Sequence, residues 1–227
     1  MTMGFLIDIE GADGSGKATQ AKMLAERLEK EGHSIAIFSF PRYYESRSGK
    51  LIGELLSGKH GDFMTMPPYV SALPYAMDRA AAAADIRAAL ESGKVVICDR
   101  YTSSNLAHQS AKLPKDEQPA LVDFIEALEY GDLKVPRPSL VIYMNVPTDI
   151  SSNLVSKKDA REYLGDSQRD LAERNIAHQD RTRSAYLRLA KEKGWHVIEC
   201  APEGSLRSPE DIHREVSSVV YAQLALQ

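Results

Sequence analysis

Gly11-Ala12-Asp13-Gly14-Ser15-Gly16-Lys17 is the stretch on which the fold turns. It follows a short apolar run, Phe5–Ile9, broken only by Asp8, and it opens a helical pattern running from Lys17 to Glu31. Phosphate oxygens need several hydrogen-bond donors at once. Closely spaced glycines let main-chain N–H groups converge on an anion, and a helix N-terminus adds favourable partial charge. A lysine at the end of the loop brings a full charge to the outer phosphates of a nucleotide. Placed between a strand and a helix, the segment is a nucleotide-phosphate site. Its nucleotide contacts are Gly11, Ala12, Asp13, Gly14, Ser15, Gly16, Lys17, Ala18 and Thr19. One position departs from the usual pattern. Ala18 stands where a serine or threonine hydroxyl commonly binds Mg2+, and Thr19 is turned about 100° from that position on a helix.

Working outward, four more strand-like runs appear: Ile35–Phe40, Val95–Cys98, Leu140–Val146 and His196–Cys200. Helical patterns alternate with them over Lys17–Glu31, Pro68–Glu91, Asp116–Tyr130, Leu171–Lys193 and Pro209–Leu226. Strands alternating with helices predict an α/β fold with a parallel sheet covered on both faces. Pro74 inside the Pro68–Glu91 pattern predicts a kink or a break there. No linker, repeat or low-complexity tract divides the chain, so one domain over 1–227 is expected. Pro41–Gly61, rich in Gly, Ser and Tyr, and the polar stretch Lys157–Gln168 read as solvent-facing loops.

Composition narrows the function classes. The chain has 227 residues, 26% of them charged, and a formal net charge of −4. That balance offers no basic footprint for nucleic acid and no attraction to an anionic membrane surface. The first ten residues lack a signal-peptide pattern, and no apolar run approaches the roughly 20 residues that span a bilayer. The two cysteines, Cys98 and Cys200, end apolar runs and read as buried free thiols. A cytoplasmic protein is expected.

The second chemical signal is Asp99-Arg100-Tyr101, after the Val95–Cys98 strand. In an open parallel sheet, ligands bind outside the carboxyl ends of the strands. An acid and an arginine there can serve a metal and a phosphate respectively. A helix beyond them would put Asn105, His108 and Gln109 on one face, with Ser104 one turn before His108. Amide, imidazole and hydroxyl groups suit recognition of a base edge and a sugar.

Taken in order, IEGADGSGKATQ, FPRYY after the second strand, the spacing of Tyr75 and Arg79, and DRYTSSNLAHQ resemble the thymidylate kinases. The resemblance runs from Phe5 to about Lys112. It implies a P-loop NTPase-type three-layer sandwich with a five-stranded parallel sheet, a mobile lid at about 157–170, and transfer of the γ-phosphoryl group of ATP to dTMP. It also implies Mg2+ as cofactor, ATP and dTMP as partners, and a homodimer. Residue by residue, Asp13 takes the place of an acid that touches the acceptor's sugar or orients its phosphate. Tyr75 matches an aromatic that stacks on thymine, and Arg79 an arginine that reaches a base carbonyl. Arg100 would grip the acceptor phosphate, and Asp99 would stand near the metal. Asn105 and Gln109 fall where the family reads the pyrimidine edge. Phe40 belongs to the FP segment, and Arg42 lies one residue before the phosphate-binding arginine of many relatives. His108 replaces an aromatic, often Tyr, that helps exclude a ribose 2′-hydroxyl.

Some members of the family carry a basic residue beside the loop acid and others supply it from the lid; with Gly14 after Asp13, the resemblance implies that the catalytic cation comes from the lid, with Arg161 and Arg169 as candidates. The loop Ala201–Ser208 should border the adenine. Asp13, Lys17, Arg100, Arg161 and Arg169 form the expected catalytic set. Two other readings fit the same residues: another nucleoside or nucleoside-monophosphate kinase, and a P-loop module that binds nucleotide without turnover.

Overall fold

Phe5–Gly11 forms the first strand, β1, and all seven of its residues are buried. In a strand, side chains alternate between faces, so Phe5, Ile7 and Ile9 enter one core while Leu6, Asp8 and Glu10 face the other. Asp8 is therefore not a break in the strand but an acid carried into the interior. The computed structural model describes residues 4–155 and 176–226. The other strands are β2 (Ile35–Ser39), β3 (Val95–Asp99), β4 (Leu140–Asn145) and β5 (His196–Glu199). All pair in parallel, in the order β2-β3-β1-β4-β5. The expected strands are all present, each ending within two residues of the expected limit.

β1 lies centrally, with β3 on one side and β4 on the other. The order of connection reverses beside it, which opens a crevice at the carboxyl ends of the strands. On one face, Ile7 and Ile9 pack with Leu24 and Leu28 of α1 (Lys17–Lys30) and with the last helix. On the other, Leu6 and Val96 meet Ala82, Ala83 and Ile86 of α3 (Pro68–Glu91). The small alanines let α3 lie close to the sheet. Of the kink or break expected at Pro74, the break does not occur: α3 runs on through it. A proline removes one helical hydrogen bond, and burial of Ala72, Ala76 and Arg79 on either side of it anchors both halves.

The segment 41–61 also departs from expectation. It contains α2 (Arg47–Leu56), capped by Ser46, whose hydroxyl accepts the Gly49 N–H at 2.7 Å. Ile52, Leu55 and Leu56 are buried against Phe63, so this segment is a packed helix and not a solvated loop. α4 (Thr102–Ser110) follows β3 directly, and α5 (Gln118–Glu126) continues into a wide π-type turn, Ala127–Asp132. The remaining helices are α6 (Thr148–Val155), α7 (Ile176–Lys193) and α8 (Pro209–Leu224). Cys98 and Cys200 are buried free thiols. Among the described residues, no helix is long and apolar enough to cross a membrane.

Candidate active site

The loop after β1 is shaped by its glycines. Gly14 (φ 82°) and Gly16 (φ 89°) take left-handed backbone conformations that side-chain-bearing residues rarely adopt. Gly16 caps α1 with no side-chain acceptor, so the first-turn N–H groups keep their donor capacity for an anion. Lys17 is buried, and its Nζ donates to the Ala12 carbonyl at 2.8 Å. Burial, reinforced by the charge of Arg100, lowers its pKa to about 8. Ala18 and Thr19 are both exposed.

Arg100 sits at the end of β3 in the left-handed region, φ 67°. For a bulky residue this costs on the order of 1–3 kcal/mol. Its N–H donates to the Ile9 carbonyl at 3.0 Å, and the next N–H, of Tyr101, donates to Glu10 Oε1 at 2.9 Å. The guanidinium is thereby aimed at the loop, where Nη2 meets Asp13 Oδ1 at 3.0 Å and Nη1 meets Ser104 Oγ at 3.2 Å. Glu10 anchors this turn: besides the Tyr101 N–H it accepts the hydroxyls of Ser104 and Tyr186, each at 2.7 Å. Asp8, two residues back on the same face, has no hydrogen-bond partner for either oxygen among the described residues. Burial, then the nearby charge of Glu10, holds its pKa well above the usual carboxylate range.

Nine of the ten expected acceptor residues line one cavity above these groups: Asp13, Phe40, Tyr75, Arg79, Arg100, Ser104, Asn105, His108 and Gln109. Arg42 does not. Its Nε lies 3.3 Å from Glu45 Oε2, and its neighbours Pro41 and Tyr43 reach the cavity wall instead. Tyr75 packs on Phe63 with ring centroids 6.1 Å apart, and Phe40 packs on Tyr101 at 5.8 Å. Arg79, expected to reach a base carbonyl, is only 2% exposed and forms a two-point ion pair with Glu129: Nε–Oε2 2.5 Å and Nη2–Oε1 2.7 Å. His108 is surrounded by cations and rings. Its Nε2 lies 3.5 Å from Arg100 Nη1, and its ring is about 6 Å from those of His178 and Tyr186. Burial and the Arg100 charge push its pKa well down, and burial takes His178 to about 4, so both imidazoles are neutral at pH 7. Lys112 closes the far end of the cavity, where its Nζ donates to Ser71 Oγ at 2.9 Å.

Asp99 has a buried Oδ1 with no hydrogen-bond partner among the described residues. A carboxylate can only accept, so such an oxygen at the end of β3 suits a cation. No cluster of three or more His, Cys, Asp or Glu side chains is arranged to hold a metal among the described residues. Arg161, Arg169 and the lid lie outside the described residues. In the loop Ala201–Ser208, Arg207 is held by Glu215 and by the Glu199 carbonyl, while Pro202–Gly204 makes a short 3-10 turn.

The family model for thymidylate kinase matches residues 9–216. The chain belongs to the thymidylate kinase family. The thymidylate kinase of Mycobacterium tuberculosis strain H37Rv is 34% identical over 190 residues, covering 84% of this chain and 87% of that one. A probable thymidylate kinase of Thermococcus gammatolerans is 34% identical over 231 residues and covers 98% of each chain. Among solved structures, the thymidylate kinase of Candida albicans superposes with a TM-score of 0.74 over 97% of this chain and 92% of that one, at 21% identity. Family membership and the three-layer α/β fold therefore stand on independent comparisons.

Three acids of the site were not singled out in the sequence: Glu10, Asp78 and Glu129. Asp78 accepts the Arg42 N–H at 2.8 Å and the Ser46 hydroxyl, clamping α3 to the start of α2. It lies three residues beyond Tyr75, on the same helix face, and that spacing was available as a signal. Glu10, an acid inside an otherwise apolar strand, was equally visible. Glu129 sits in a wide turn far along the chain and carried no local signal.

Proposed function

We propose that this chain is a thymidylate kinase, transferring the γ-phosphoryl group of ATP to dTMP and releasing dTDP and ADP. Membership of the family carries this reading. It is supported by the convergence of phosphate loop, Arg100 and the cavity lined by Tyr75, Asn105 and Gln109 around the Asp13–Arg100 contact. The loop amides and Lys17 hold the donor, and Arg100 holds the acceptor phosphate. That phosphate is already ionised, so transfer needs alignment and charge neutralisation more than a general base. Asp99, with its unpartnered buried Oδ1, is the residue that would hold Mg2+ bound with ATP, and the ion would supply charge neutralisation at the transferred group. Tyr75 stacks on the base while Asn105, Gln109 and Arg79 read its edge. Arg161 or Arg169, from a lid at about 157–170, supplies a further cation to the transition state.

The rest of the reading is a single kinase domain, cytoplasmic, acting as a homodimer. The dimer is supported by Tyr69, Val70, Leu73 and Met77, which repeat along one face of α3 and are all exposed. An apolar stripe of this kind on a surface helix suits a second copy. A coupled ADP-release assay over dTMP, dUMP, UMP, dCMP, CMP, AMP and GMP tests the assignment. dTMP should have the highest kcat/KM; a purine monophosphate in first place would refute it.

A further inference from the structure

Glu129 is fully buried, and four donors converge on its carboxylate. Oε1 accepts Arg79 Nη2 at 2.7 Å and Asn105 Nδ2 at 2.9 Å, while Oε2 accepts Arg79 Nε at 2.5 Å and the Thr102 hydroxyl at 2.9 Å. The wide turn Ala127–Asp132 delivers this side chain inward, and the Val135 N–H, donating to the Glu129 carbonyl at 2.8 Å, fixes its backbone.

This arrangement decides the orientation of a side-chain amide. Asn105 Nδ2 also donates to the Ala72 carbonyl at 3.1 Å. Both partners of Nδ2 can only accept, so the nitrogen must face them and Oδ1 must face away. Oδ1 is buried and has no hydrogen-bond partner among the described residues, although Asn105 lines the cavity. It is an acceptor in want of a donor. Gln109 has the opposite orientation. Its Oε1 accepts the Ser71 hydroxyl at 2.7 Å, and that hydroxyl accepts from Lys112, leaving the Gln109 NH2 group as a donor. Arg79, with Nε and Nη2 taken by Glu129, keeps Nη1 as a further donor.

We propose that Glu129 is a positioning residue for base specificity. By locking Asn105 with its oxygen turned away from the carboxylate and leaving Arg79 Nη1 as a spare donor, it makes the pocket complementary to a pyrimidine with N3–H beside a C4 carbonyl. Cytosine, with a bare N3 and an amino group at C4, meets an acceptor with an acceptor and a donor with a donor. The inference rests on the acceptor being a pyrimidine monophosphate. It adds a residue that touches no substrate yet sets which substrate is read.

Glu129→Gln replaces one acceptor oxygen by an NH2 group; in the Oε1 position it faces Asn105 Nδ2, which relieves the conflict by turning its own amide over. kcat/KM for dTMP should fall about 10–100-fold, the range expected for a mispaired buried hydrogen bond. The dTMP-to-dCMP ratio should narrow at least about tenfold, with KM for ATP unchanged. Thr102→Val removes one hydrogen bond from the same carboxylate without touching the cavity and should leave the ratio as it is. Equal losses for dTMP and dCMP in Glu129→Gln, or an equal narrowing in Thr102→Val, would show a purely structural role and overturn the proposal. If Glu129→Gln does not fold, Asn105→Ala decides: discrimination against dCMP must collapse with the loss of Oδ1, and its survival refutes the proposal. A wild-type preference for a purine would remove the thymidylate reading itself. A wild-type preference for dTMP that Glu129→Gln leaves intact removes only this inference.

Discussion

Arg100 Nη2 stands 3.0 Å from Asp13 Oδ1, joining the turn after β3 to the phosphate loop after the adjacent strand β1. One ion pair thus ties the groups proposed to hold the two substrates, and the strained backbone at Arg100 (φ 67°) serves to aim it. Arg100→Ala should raise the acceptor KM and lower kcat together, while Lys17→Met should damage the donor side and abolish turnover. Steady-state kinetics with each substrate varied in turn separates the two. A normal acceptor KM in Arg100→Ala would contradict the assigned role.

Lys17 gives a pH signature. With its pKa lowered to about 8 by burial, the free enzyme loses the lysine charge as pH rises through 8. Bound phosphates restore it, so kcat/KM for ATP should decline above pH about 8 while kcat holds to higher pH. For stability the sign is the reverse of a salt bridge. A buried amine whose pKa falls from 10.5 to about 8 destabilises the fold below pH 8, and this cost is relieved as pH rises from about 8 to 10.5. Lys17→Met should therefore melt higher than the wild type at pH 7, with a gap that closes across that window. A gap independent of pH would mean that Lys17 is not desolvated.

Asp8 titrates with the opposite consequence. Its pKa is raised well above 3.8 in the fold, so above pH about 4 the unfolded chain gives up a proton that the native state keeps, and stability falls as pH rises. Asp8→Asn removes that slope. The Tm of the variant relative to wild type should climb between pH 4 and 7 in thermal melts at fixed ionic strength. A constant difference across the range would count against a raised pKa at Asp8.

How much of this was legible in the sequence depended on distance along the chain. The loop Gly11–Lys17, the five strands and the grouping of Tyr75, Asn105 and His108 around one cavity came from local pattern and family resemblance. The glycines and serines of 41–61 outweigh a short apolar set and predict a loop where α2 forms, although Ser46 and the Ile52, Leu55, Leu56 spacing are a cap and a helix face. Arg79 shows the sharper limit. Its place in the cavity wall was readable at i, i+4 from Tyr75, but its burial against an acid 50 residues later was not. Pairing of that kind is settled by tertiary packing alone.

Asp78 links these two observations. Its carboxylate holds the Arg42 N–H and the Ser46 hydroxyl, so it positions Tyr43 at the cavity and α2 beside it. Asp78→Ala leaves two part-buried donors unmatched and should cost about 1 kcal/mol, seen as a lower midpoint in urea. The acceptor KM should rise, by up to about 10²-fold if the segment shifts by an ångström, with KM for ATP little changed. An unaltered acceptor KM alongside the stability loss would confine Asp78 to folding.

His108 exposes the acceptor reading to its hardest test. At the place where the family resemblance implies an aromatic, this chain has a half-buried, neutral imidazole between Arg100, His178 and Tyr186. An imidazole is smaller than a phenol and leaves more room for a ribose 2′-hydroxyl. One methyl in a hydrophobic pocket is worth about 1–3 kcal/mol, so dUMP should follow dTMP by roughly 10–200-fold in kcat/KM. UMP should be poor but measurable, and AMP and GMP negligible. His108→Tyr should depress UMP further than dUMP, because the added bulk acts on the sugar and not on the base. The decisive quantity is the dUMP-to-UMP ratio, which holds the base constant. It should widen in the variant; if it stays put while both acceptors weaken together, His108 shapes the pocket without reading the sugar.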